Sequence, residues 1–73
     1  MGNNKLWRME TGFIGGYTED RELIRRIRRY KEPKGWTIMA DYYKNGRFIG
    51  IQYKVPISQR RVAERMFMTN LED

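Results

Sequence analysis

The chain has 73 residues, 40 % hydrophobic and 33 % charged, the balance of one small globular domain and not of a disordered segment. It holds no cysteine and no histidine, which excludes disulfide staples, thiolate chemistry, zinc sites built on those ligands and histidine-based acid–base catalysis. Fifteen Lys and Arg against nine Asp and Glu leave a formal charge of +6, and ten of the fifteen bases are arginine, the side chain that meets phosphate bidentately.

Residues 1–5 are polar and expected to be loose. Residues 6–14 alternate as a strand, with Trp7, Met9, Thr11 and Phe13 on one side and Leu6, Arg8 and Glu10 on the other. Gly12 marks a bulge or bend, and Gly15 and Gly16 are expected to break the strand. Thr18 is placed to cap a helix running to about Lys31. Glu19 and Asp20 in its first turn, and Arg28, Arg29 and Lys31 in its last, complement the helix dipole. Leu23, Ile24, Ile27 and Tyr30 form its inward stripe, and Arg21, Arg25, Arg28 and Arg29 gather opposite.

Glu32-Pro33-Lys34-Gly35 reads as a turn. Residues 36–44 and 47–55 then flank Asn45-Gly46, a strong hairpin signal. A two-residue loop sets Lys44 opposite Arg47, Tyr43 opposite Phe48, Tyr42 opposite Ile49, Ala40 opposite Ile51, Ile38 opposite Tyr53 and Trp36 opposite Val55. The face with Trp36, Ile38, Ala40 and Tyr42 is apolar and expected to be the core. The outer face then carries Thr37, Met39, Asp41 and Tyr43 opposite Lys54, Gln52, Gly50 and Phe48. Pro56 ends the hairpin. Ser58 is placed to cap a second helix through about Met68, with Val62, Ala63, Met66 and Phe67 inward, and residues 69–73 are expected to fray.

The predicted fold is a single small α+β domain, residues 1–73, in the order β-α-β-β-α: a three-stranded, mostly antiparallel sheet packed on two helices. A strand edge stays open, which a homodimer can close. Residues 36–66, with WTIMADYYKNGRFIG followed by an arginine-rich helix, loosely resemble the sheet-plus-helix DNA-binding module at the front of some phage integrases. Those modules carry a third strand directly in series, whereas here the extra strand precedes a helix, so the resemblance names no family.

Three places are candidate binding sites. Ser58, Gln59, Arg60 and Arg61 put a hydroxyl, an amide and two cations where a helix dipole is already positive, which suits a phosphate; the plain alternative is that the arginines bend into water or reach Glu64. Arg21, Arg25, Arg28 and Arg29 can track a nucleic-acid backbone, or form an ordinary solvated face. Tyr43 and Phe48, with Lys54 nearby, can stack on unpaired bases, or simply stabilise the sheet as a cross-strand pair. Arg65 adds a cation on the second helix. The Gly12–Gly16 stretch lacks the spacing and the Lys-Ser/Thr ending of a phosphate loop, and Glu19 and Asp20 would repel phosphate there.

The carboxylates are few and scattered, so no enzyme, metal or cofactor is expected. No apolar run has the length of a signal peptide core or a membrane span, and a cytoplasmic protein is expected. The reading is a small, basic, non-catalytic nucleic-acid-binding protein, DNA or RNA, suited to a phage or plasmid accessory role. The alternative is a protein-interaction module, an inhibitor or adaptor that docks on an acidic partner surface.

Overall fold

The computed structural model describes residues 3–71. Its elements are β1 (Lys5–Arg8), β2 (Phe13–Thr18), α1 (Arg21–Tyr30), β3 (Thr37–Lys44), β4 (Arg47–Pro56) and α2 (Arg60–Phe67), with 3-10 turns at Glu32–Lys34 and Ile57–Gln59. The fold is α+β, but the order is β-β-α-β-β-α. Four strands, not three, make one antiparallel sheet in the spatial order β1-β2-β4-β3.

The extra strand comes from Gly12. Its φ of +90° reverses the chain within residues 9–12, where Phe13 N–H donates to Glu10 O at 3.1 Å. The single strand expected over residues 6–14 is therefore a hairpin, with Trp7 opposite Gly15 and Leu6 opposite Gly16. The two glycines do not break a strand; they lie buried inside β2. The Trp7 ring occupies the room beside Gly15, where a Cβ would fall 2.4 Å from its Cε2. Glycine here is the condition for an aromatic ring to lie flat on the backbone.

Helix α1 starts two residues later than Thr18 implied. Asp20 is its cap, accepting from Glu22 N–H at 2.9 Å, while Thr18 closes β2, accepts from Asp20 N–H and donates to Asn4 Oδ1. Leu23, Ile24 and Ile27 are buried as expected. Tyr30 is not; it is 56 % exposed, with the Arg29 guanidinium 5.6 Å from its ring centre. Trp36 stands just before β3. It is buried, its ring 6.4 Å from Tyr53 and 6.3 Å from Phe67, and its Nε1–H donates to Gln59 Oε1 at 2.9 Å.

The hairpin keeps the expected two-residue turn, with positive φ at Asn45 and Gly46, and the expected pairs Lys44–Arg47 and Tyr43–Phe48. The register then slips. Tyr42 faces Gly50, Asp41 faces Ile51 and Ala40 faces Gln52, until a second shift restores Ile38 opposite Tyr53. Ile49 is the extra residue of the first bulge, on β4, and Met39 of the second, on β3. The bulges overturn part of the predicted facing. Ala40 and Tyr42, expected in the core, turn outward, and Asp41, Tyr43 and Phe48, expected outside, turn inward. Ile38, Ile51, Tyr53 and Val55 keep the core side, and Gln52 and Lys54 the outer side, as expected. Ile51, Tyr53 and Val55 point to the helices, with Asp41, Tyr43 and Phe48 on their side; Ala40, Tyr42, Gln52 and Lys54 take the opposite, helix-free side.

Both helices cover one sheet face. Leu6, Ile14, Ile51, Tyr53 and Val55 from the strands meet Leu23, Ile24, Ile27, Ala63 and Phe67 in one cluster. Helix α2 begins at Arg60 with no side-chain cap, so the capping role expected of Ser58 is not filled; Ser58 is exposed in the preceding 3-10 turn. Of the ends expected to be loose, residues 1–2 and 72–73 lie outside the described residues. Asn4 donates to Phe67 O, and buried Leu71 donates its N–H to Glu64 Oε2 at 2.9 Å. Among the described residues no helix is long and apolar enough to cross a membrane.

Two tyrosines make the fold sensitive to alkali. Burial, and then the Glu32 carboxylate, push the Tyr53 hydroxyl up from 10.0 to about 12. Burial and the hydrogen bond to Glu19 do the same for Tyr17, to about 12. Because the folded values lie above the unfolded ones, this stability is complete below pH 10 and is lost as pH rises towards 12. Melting temperature measured across that window should fall as phenolate absorbance grows; a flat profile would contradict the burial of Tyr53. On the acid side, the Leu71 N–H holds the Glu64 carboxyl below the usual range, aided by Arg60, and the Tyr17 hydroxyl lowers Glu19. Their contribution is present above the ordinary carboxylate range and fades as pH falls through it.

Candidate nucleic-acid interface

Burying one stripe of α1 leaves its arginines on the other, and the hairpin tip rises beside them. Between helix and tip lies a groove of about 410 Å³. Arg21, Arg25 and Arg28 line it from the helix, Tyr43 and Phe48 from the tip, and Ile24, Ile38 and Ile51 form its apolar wall. Two candidate sites that are separate in the sequence are thus brought together. The Tyr43 and Phe48 rings meet edge to face, centres 5.7 Å apart at 72°. Tyr43 is 61 % exposed and Phe48 half-buried, so the pair presents ring surface to the groove while anchored to the core.

Arg25 pairs with Glu22 at 2.7 Å, but both side chains are largely exposed, and such a pair yields readily to a phosphate. Asp41 is the lining carboxylate, carried there by the register slip opposite Ile51. Tyr53 pairs with Ile38 of the groove wall, but is itself fully buried and does not line the groove. Its buried hydroxyl has no hydrogen-bond partner among the described residues, and Glu32, Arg28 and Asp41 are the charges it feels. An orphaned buried hydroxyl costs about 1–3 kcal/mol. Tyr53→Phe should therefore leave thermal stability equal or higher at neutral pH; a clear loss would mean that the hydroxyl has a partner.

The other expected residues lie elsewhere. Arg29 sits against Tyr30. Lys54 is on the helix-free face, 4.3 Å above the Phe13 ring and bonded to Glu10 at 3.0 Å. Gln59 is held by Trp36 and by Lys34 O, and Arg60 by Glu64 at 3.3 Å. Arg61 and Arg65 are exposed on α2, and neither they nor Ser58 line the groove. Sequence reasoning missed Asp41 and Tyr53 as neighbours of the site. The one signal for Asp41 was its being a carboxylate within a strand.

The helix-free face carries Trp7 over Gly15 and Tyr17 edge-on to Tyr42 at 5.4 Å. The Tyr17 hydroxyl is committed to Glu19 and that of Tyr42 to Gln52. Among the described residues no group of three or more carboxylates is placed to hold a metal ion. No protein-family model matches the chain, and neither the curated proteins nor the solved structures contain a significant match.

Proposed function

We propose that the protein binds nucleic acid without catalysis, and that the groove between α1 and the hairpin tip is where it does so. The observation that carries this is the convergence of three arginines with an exposed aromatic pair in one cleft of about 410 Å³. Arginines at the rim suit phosphates, and the Tyr43–Phe48 wall suits the flat face of a base. A chain at +6 adds long-range attraction.

Fluorescence anisotropy with labelled DNA and RNA strands tests the reading. Binding should weaken steeply between about 50 and 200 mM salt, with a log–log slope near −3 if roughly four phosphates are neutralised. Folded protein that binds no strand at low salt overturns it.

A second reading is favoured by the helix-free face, whose Trp7, Tyr17 and Tyr42 are residue types that anchor protein interfaces. A protein partner, or a second copy of the chain, would then cover that face. A co-purifying second band, or a dimer that persists in high salt, with no nucleic-acid absorbance, would favour it.

A further inference from the structure

We infer that the groove selects guanine in an unpaired strand, Asp41 accepting hydrogen bonds from the base while Arg28 supplies a donor beside it. The inference rests on the nucleic-acid reading and adds what that reading leaves open, the identity of the base. A carboxylate inside a cleft rimmed by three arginines works against bare phosphate at that point. It is an acceptor only, so it fits a ligand that brings donors.

Guanine brings two adjacent donors, N1–H and the N2 amino group, next to the O6 acceptor. Thymine and uracil set carbonyl oxygens on both sides of a single N–H, which a carboxylate repels. Adenine and cytosine offer one donor beside an acceptor nitrogen. The groove lining has the complementary set. Asp41 supplies the acceptors and Arg28 is a donor. The apolar wall of Ile38 and Ile51 and the Tyr43–Phe48 rings suit the purine faces. In a duplex this edge of guanine is already paired, so only an unpaired base can present it.

The test is anisotropy with a labelled strand of roughly ten thymidines, the same strand with one central guanosine, and the same with inosine, which lacks the N2 amino group. The guanosine strand should bind about 5- to 100-fold more tightly than the all-thymidine strand, with inosine between them. Asp41→Asn should erase that preference while leaving thymidine-strand affinity equal or higher. A melting curve verifies that the variant is folded. Strands that bind equally well to the wild type, or a preference untouched by Asp41→Asn, overturn the inference and leave nucleic-acid binding standing. Failure of every strand to bind overturns both.

Discussion

Replacing Arg21, Arg25 and Arg28 together by alanine should weaken single-strand binding at least about 100-fold at low salt and flatten the log–log salt slope by about 2. All three line the groove, and none belongs to the buried stripe of α1. Their removal takes away phosphate contacts without opening the core. Alanine is the better helix former, and the ion pair lost among the described residues, Arg25 with Glu22, is exposed. The melting temperature should therefore hold while the affinity falls. Arg60→Ala with Arg61→Ala is the informative control. Arg60 is already engaged by Glu64 and neither residue lines the groove, so affinity should drop less than about tenfold through lost charge alone. A triple variant that is folded and binds like the wild type would remove the groove from the proposal.

Phe67→Ala should cost about 3–5 kcal/mol. That is comparable with the whole stability of a domain of this size, at roughly 0.05–0.15 kcal/mol per residue. Phe67 is 1 % exposed, packs tilted against Trp36 at 6.3 Å, and reaches β2 so closely that a Cβ on Gly16 would lie 2.9 Å from its ring. It is the main side chain by which the short α2 grips the sheet. The expected result is loss of a cooperative urea transition at physiological temperature. A companion pair sharpens the test: Gly16→Ala should destabilise the wild type through that contact, and less so when Phe67 is leucine. A Phe67→Ala melting curve close to the wild type would mean that α2 does not dock where it is placed.

The sequence reveals what depends on local chemistry. The Leu23/Ile24/Ile27 stripe, the Asn45-Gly46 turn and the inward Ala63 and Phe67 are readable from periodicity and turn preference alone. Long-range packing is not. Gly15 and Gly16 read as breakers because glycine weakens a lone strand; only the approach of Trp7 and Phe67 makes them strand residues. The same holds for the site. Arg21, Arg25, Arg28, Tyr43 and Phe48 were recognisable as residue types, but two bulges decide the rest: the one at Met39 turns Asp41 and Tyr43 towards α1, and the one at Ile49 turns Phe48 to meet them. A bulge leaves no mark in hydrophobic alternation beyond a broken period, and two that cancel hide each other at both ends of the hairpin.

That cancellation bears on how kindred chains should be compared. Excising Ile49 would leave Phe48, Gly50 and Ile51 alternating in an unbroken ladder, and excising Met39 would do likewise for Ile38 and Ala40. Positions 39 and 49 are therefore where evolution can lengthen or shorten this hairpin by one codon without turning a side chain over. An alignment that forbids gaps within strands would pair the wrong residues between them, and would misjudge Asp41 and Tyr42 as variable when only their partners had been miscounted.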